Sequence, residues 1–161
     1  MRQFREIFGF ELRYQLRQPM IYVSSLIFFL ITFLIATSDG IQLGGAVGNV
    51  NRNAPFVLMQ LLMIMTIFGI FTTTAFVGNA AYRDYDLKTD SLFFTAPIRK
   101  VPFLAGRFGG SFLMSVGVFV AAASAIAIGN KMWWIDQEMV GPFAIKPYLV
   151  AFGMGIIPNL L

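Results

Sequence analysis

The sequence APFVLMQLLMIMTIFGIFTTTAFVGNAAY, residues 54–82, contains no charged side chain. Roughly 20 residues of α-helix cross the ~30 Å hydrocarbon core of a bilayer, so this stretch is long enough to span a membrane. Residues 18–38 and 108–130 are also uncharged, and a shorter uncharged run begins at Pro147. Because 57% of the chain is hydrophobic and only 12% is charged, we expect an all-α polytopic membrane protein.

Prolines, glycines and charged residues divide the chain into predicted elements. The predictions are an N-terminal amphipathic interfacial helix at 1–18, three full spans at 20–37, 55–81 and 107–129, a cytosolic segment at 82–106 and a truncated fourth span at 147–161. From Pro147 to the last residue a helix would be only ~22 Å long, which is shorter than the hydrocarbon core. We therefore expect the N-terminal part of a longer protein, with a re-entrant end of a complete protein as the alternative.

Residues 1–18 combine aromatic and basic side chains at helical spacing. Phe4 and Phe8 fall on one face and most of the arginines fall opposite, although Glu11 and Gln15 interrupt the apolar face. Such a helix is suited to lie on the membrane surface with its basic groups toward anionic headgroups. The alternative is a solvated extension ahead of the first span.

Nine of the twelve basic residues lie in the N-terminal segment and in the connection between the second and third spans. These two segments are on the same side of the membrane if each predicted span crosses once. Lys and Arg are enriched in cytoplasmic loops, so we expect the N-terminus and residues 82–106 to be cytoplasmic. The opposite side carries Arg52, Lys131 and Lys146.

The chain contains no cysteine and no histidine. It therefore cannot form a disulfide, a Ser-His-Asp triad or a histidine-ligated zinc site from its own residues. It also lacks the glycine-rich phosphate loop of many ATP-binding proteins, so another polypeptide would have to bind ATP. We expect no catalytic, cofactor or metal site, and we attribute the basic charge to membrane orientation rather than to nucleic-acid binding.

Small and polar residues recur in the second and third spans. In the third span, small residues near i, i+4 spacing predict close helix packing, within one subunit or between subunits. They are Gly106, Gly110, Gly117, Ala121, Ala125 and Gly129. In the second span, we predict that Thr66, Thr73 and Asn79 line a path for a transported molecule. The alternative is that the threonines bond the carbonyls of their own helix.

Residues 84–108, DYDLKTDSLFFTAPIRKVPFLAGRF, hold much of the charge of the chain. Charges of both signs surround Phe93 and Phe94, which are poorly suited to water without a partner. Aromatic anchors within a charged rim are typical of protein-docking surfaces. We therefore expect a short cytosolic helix, ended by Pro97, that docks another protein; a solvated loop is the alternative.

The segment TDSLFFTAPIRKVPFLAGRFGGSF, residues 89–112, and the segment FELRYQLRQP, residues 10–19, resemble parts of a known family. They are similar to the coupling helix with its entry into the third span, and to the N-terminal connecting helix, of ABC-type-2 exporter permeases. In that family the coupling helix ends in a Thr/Ser-x-Pro-[Ile/Val]-x-[Arg/Lys] turn. The matching residues here are Thr95, Pro97, Ile98, Arg99 and Lys100.

The resemblance implies the membrane-spanning subunit of an ATP-driven exporter in a bacterial inner membrane. It implies six spans per permease half, two halves paired as a homo- or heterodimer, and an ABC ATPase subunit that carries ATP and Mg²⁺ beneath the coupling helix. ATPase coupling would fall on Asp84, Asp86, Asp90, Phe93, Thr95, Pro97, Arg99 and Lys100, and the connecting helix would contribute Glu11, Arg13 and Arg17. The chain also resembles the subgroup whose permease is followed by a zinc aminopeptidase domain, no part of which lies in these 161 residues.

Two other functions are open at this stage. A membrane scaffold or assembly factor would form a stable complex with a partner but would show no nucleotide-dependent flux. A membrane-embedded enzyme is disfavoured, because the spans carry no His, Cys or carboxylate.

Overall fold

The computed structural model describes residues 2–38, 51–88, 99–136, 138 and 140–160, with the backbone alone at 84 and 85. In these residues the regular elements are the helices α1 (Arg2–Leu16), α2 (Pro19–Thr37), α3 (Pro55–Asp86), α4 (Lys100–Gly129) and α5 (Ile145–Leu160). No strand occurs in these ranges. The predicted all-α fold is therefore confirmed for the part of the chain that the structure describes.

Within the described residues, three helical segments are long and apolar enough to cross a membrane: α2, residues 55–83 of α3, and α4. The chain is therefore a multi-pass membrane protein, as predicted. α3 has 32 residues and α4 has 30, so the two helices are about 48 and 45 Å long. Both exceed the ~30 Å core. They are longer than the predicted spans, since α3 continues beyond residue 81 to Asp86 and α4 begins at Lys100 rather than near 107.

Local sequence explains where several helices begin and end. Pro19 and Pro55 begin α2 and α3, at a position where the N–H has no helical partner and a fixed φ suits the helix. Just after α3, Lys88 adopts a φ of 53°, in the left-handed region that commonly ends a helix. α5 has 16 residues and is about 24 Å long, which is shorter than the hydrocarbon core.

α4 is the central helix and packs against each of the other four helices. Its residues Val118, Phe119 and Ala122 belong to the same buried cluster as Leu62 and Met65 of α3. By contrast, much of α2 and the outward face of α3 expose large apolar side chains. Such surfaces suit lipid, since lipid tails are as apolar as these side chains.

Candidate functional site: a polar junction of α1, α3 and α4

Glu11, Gln15, Arg83 and Ser111 meet where α1, α3 and α4 converge, and we call this group the polar junction. Arg83 donates from Nη2 to Oε2 of Glu11 at 2.7 Å and from Nη1 to Oε1 at 3.2 Å. Gln15 donates from Nε2 to Oε1 of Glu11 at 2.9 Å and to Oγ of Ser111 at 2.7 Å. Two-point pairing of a guanidinium with a carboxylate is strong and directional, so one network joins the three helices.

The four residues of the polar junction are buried. Glu11 and Ser111 are 0% exposed, Gln15 is 3% exposed and Arg83 is 8% exposed. Burying two charges has a large desolvation cost, which is offset only when they are paired and hydrogen-bonded to each other. Loss of either partner would leave an uncompensated buried charge, so the junction fixes the position of α1 against α3 and α4.

Two aromatic rings of α1 also contact the guanidinium of Arg83. The guanidinium carbon lies 4.1 Å from the ring centroid of Tyr14 and 5.6 Å from that of Phe10. A guanidinium over a ring face is attracted to the negative π surface. Nearby, Arg107 of α4 donates from Nη1 to the backbone oxygen of Ala80 at 2.6 Å. The end of α3 is therefore held by α1 and by the first turns of α4.

Two glycines of α4 bring α1 into close contact. A Cβ on Gly110 would lie 2.8 Å from Cβ of Glu11, and a Cβ on Gly106 would lie 3.0 Å from Cγ2 of Ile7. Both distances are shorter than ordinary van der Waals contact, so a larger residue at either position would push α1 away. Gly106 and Gly110 thus form the seat of α1.

The other small residues of α4 that were predicted to pack differ in how deeply they are buried. A Cβ on Gly129 would lie 3.3 Å from Cγ2 of Thr37 in α2, and Ala125 is 0% exposed. Ala121 is half-buried, whereas Gly117 is exposed and a Cβ there would meet nothing within 4 Å. The reason is geometric: steps of four residues drift by ~40° around a helix of 3.6 residues per turn. A long row of small residues therefore cannot stay on one face.

The three residues predicted to line a path have different surroundings. Thr66 donates to its own helix and also to the backbone oxygen of Gly155 in α5, at 2.9 Å in both cases. Thr73 shares a 2.7 Å hydrogen bond with Ser115 of α4. Both threonines are buried and join helices of the described chain, whereas Asn79 is exposed. Of the three, only Asn79 has an exposed side chain.

Much of the predicted ATPase-coupling surface lies outside the described residues, namely Asp90, Phe93, Thr95 and Pro97. Asp84 and Asp86 belong to the end of α3, where the side chain of Asp86 is exposed. Arg99 has an extended backbone just before α4, and Lys100 is the first residue of that helix; both are exposed. The structure therefore describes the two ends of the predicted coupling segment.

The predicted connecting-helix residues lie on different faces of the chain. Arg13 and Arg17 are exposed, but Glu11 is fully buried and bonded to Arg83, 72 residues further along the sequence. From the sequence, Glu11 and Gln15 interrupt an apolar face, the family resemblance adds Glu11 to the connecting helix, and Arg83 serves only to indicate orientation. Two features of the sequence could have indicated this ion pair. Glu11 is an acidic residue on the apolar face of α1, and Arg83 is the basic residue that follows the uncharged run at 54–82.

The fold and the polar junction define the chain as a helical multi-pass membrane protein. Comparisons with protein-family models, with curated proteins and with solved structures found no match. Function has therefore to be inferred from the motifs and the geometry of the chain itself.

Proposed function

We propose that the chain is part of the transmembrane subunit of an ATP-driven ABC-type-2 exporter, in a bacterial inner membrane and with a cytoplasmic N-terminus. In this proposal, the segment at residues 82–106 docks an ABC ATPase subunit. The sequence motif that supports this proposal is the one at residues 95–100, which resembles the end of the family's coupling helix. The structural observation that carries it is that α1 braces the adjoining ends of α3 and α4 through the polar junction.

The lengths of α3 and α4 support a docking segment outside the bilayer. With 32 and 30 residues, each helix exceeds the hydrocarbon core by about 15 Å or more. The ends that residues 87–99 connect carry the exposed charged residues Asp86 and Lys100. Charged side chains in membrane proteins favour the interface and the aqueous side, where a soluble ATPase could reach the segment.

The contacts near these ends supply a route for movement. Arg83 near the end of α3 is bonded to Glu11 of α1, and Arg107 near the start of α4 is bonded to Ala80 of α3. Because buried ion pairs resist separation, a push on the connecting segment would move α1, α3 and α4 together. α3 and α4 continue as spans, so such a push would tilt them and change which side of the membrane the path faces.

This scheme gives the predicted residues distinct roles. Glu11 is an internal brace rather than a contact for the ATPase. Arg13 and Arg17 remain exposed connecting-helix residues. Asn79, on the open face of α3, is proposed to line the path between this chain and a second permease half.

The proposal predicts that reversing the charge of Arg99 weakens the docking of the ATPase. The full chain carrying Arg99→Glu would be expressed in its own host, purified in mild detergent and compared with the unchanged chain. We expect about a tenfold loss of co-purified ABC ATPase, with a matching loss of ATP hydrolysis, because like charges placed across an interface cost affinity. The quantities measured are the ATPase-to-permease ratio and the rate of phosphate release.

The matched control is Lys146→Glu, which makes the same change of charge at an exposed lysine in the first turn of α5. It should leave both quantities unchanged. If the Arg99→Glu chain retains its ATPase and its hydrolysis rate, the segment at residues 82–106 does not dock the ATPase. If the unchanged chain binds a partner that hydrolyses no nucleotide, the scaffold function is favoured instead.

A further inference from the structure

We propose that the outer face of α1 binds the headgroups of anionic phospholipids through Arg5, Arg13 and Arg17. This proposal goes beyond the transport function and does not depend on it. It begins at the polar junction, where Glu11 and Gln15 are bonded to α3 and α4. Because these bonds hold one face of α1 inward, the helix cannot roll, and its opposite face is directed away from the bundle.

Part of the aromatic face of α1, which the sequence predicts to meet the membrane, packs against α4. A Cβ on Gly109 of α4 would lie 3.4 Å from Cδ2 of Phe8, so this ring packs against α4. Phe4 stacks on Phe8 with ring centroids 5.7 Å apart. Phe4 itself is 36% exposed, so this face keeps one exposed ring, while the opposite face of α1 carries the exposed basic side chains.

Basic side chains are grouped on that other face. At 100° per residue, Arg5 and Arg13 lie within an arc of about 80° centred roughly opposite the polar junction. Arg17 follows just beyond the end of α1, and all three arginines are exposed. None of the three forms an ion pair with a described residue, whereas Arg2 pairs with Glu6 at 2.9 Å. Three guanidinium groups therefore remain open to a ligand.

Apolar side chains are exposed beside these arginines. Phe10 is 60% exposed and Leu16 is 48% exposed, and Leu16 falls between Arg5 and Arg13 around the helix. Arginine heads next to exposed apolar groups suit the boundary between lipid headgroups and acyl chains. Tyr22 of α2 donates to the backbone oxygen of Leu16 at 2.9 Å, which ties this face to the start of a membrane-spanning helix.

The chemistry of the surface favours a lipid phosphate as the ligand. A guanidinium donates two parallel N–H groups to phosphate oxygens, and its charge persists at any physiological pH. Each basic residue near an anionic membrane surface contributes about fivefold to binding. Because α2 begins at Pro19 directly after α1, lipid headgroups adjoin this face wherever α2 enters the bilayer. An acidic protein surface is the competing occupant, and the test separates the two.

The test measures which lipids the full chain retains. The purified chain would be placed in nanodiscs containing equal amounts of phosphatidylglycerol and phosphatidylcholine, and native mass spectrometry would count the bound lipids. We expect the unchanged chain to retain phosphatidylglycerol preferentially. The combined variant Arg5→Gln, Arg13→Gln, Arg17→Gln should weaken that preference about tenfold or more, while replacement of all three by lysine should keep most of it.

The matched control is the variant Arg52→Gln, Lys131→Gln, Lys146→Gln, which removes the same charge from the other end of the helices and should preserve the preference. Equal loss in both glutamine variants, or loss in neither, would overturn the proposal. Unchanged lipid retention with loss of a co-purified protein would assign the face to that protein instead. If the α1 variant does not fold, salt provides a second test on the unchanged chain: at about 1 M, where the Debye length is ~3 Å, a preference that persisted would contradict the proposal.

Discussion

At the scale of single residues, the pairing of Glu11 with Arg83 determines how α1 is held. A carboxylate that is 0% exposed and a guanidinium that is 8% exposed depend on each other, because burial removes most of the solvation of each charge. Sequence alone could not pair them. The two residues are 72 positions apart and Gln15 is 96 positions from Ser111, whereas helical patterns relate residues within a few turns.

A double-mutant cycle would test this pairing. Glu11→Ala should lower the free energy of unfolding by about 3–5 kcal/mol, because it leaves Arg83 buried and unpaired. Adding Arg83→Met should restore part of the loss, which gives a coupling energy above about 1 kcal/mol. Unfolding in mixed micelles would be followed by tryptophan fluorescence. The control is Glu6→Ala, since the Arg2–Glu6 pair has side chains 92% and 62% exposed and should contribute little. Strict additivity of the two buried substitutions would contradict the pairing.

At the scale of elements, the membrane-spanning helices were predictable and the position of α1 was not. Long uncharged runs identify α2, α3 and α4 because the bilayer requires about 20 apolar residues for each crossing. α1 has mixed character, and its aromatic face could serve a membrane or a neighbouring helix equally well. The contact of α1 with α4 depends on the glycines at 106 and 110. The sequence predicts that these glycines pack against a helix, but it does not indicate which helix.

A disulfide introduced between α1 and α4 would test this seat. The chain contains no cysteine, so the pair Ile7→Cys, Gly106→Cys would report on one contact alone. A Cβ at 106 would lie 3.1 Å from Cβ of Ile7, close to the ~3.5–4.5 Å separation found in disulfides. The change at position 7 also removes Cγ2 of Ile7, the atom closest to that Cβ, so mild oxidation in native membranes should join the two thiols and protect them from a maleimide label. The pair Ile7→Cys, Gly117→Cys should stay reactive, since a Cβ at 117 would meet nothing within 4 Å. Full labelling of both pairs would show that α1 does not lie on α4.

At the scale of the whole molecule, the described residues form helices around α4, and the polar junction ties α1 to the end of α3 and the start of α4. The all-α, membrane-spanning class followed from composition and charge placement. The sequence could not predict that Asn79 is exposed while Thr66 and Thr73 are buried. All three belong to one helix, and they differ only in which neighbouring helices pack against them. The proposed exporter function unites these features, since a brace at the base of α3 and α4 is what a docked ATPase would need to move them.

Photocrosslinking at position 93 tests that function most directly. The full chain would carry benzoyl-phenylalanine in place of Phe93, and a second chain would carry it in place of Trp133, which is 89% exposed beyond the opposite end of α4. Irradiation in the native host membrane should attach an ABC ATPase at position 93 but not at 133, and trapping the nucleotide with vanadate should change the yield at 93. The exporter proposal would be contradicted if no ATPase were attached at position 93, or if attachment were equal at both positions and insensitive to the trapped nucleotide.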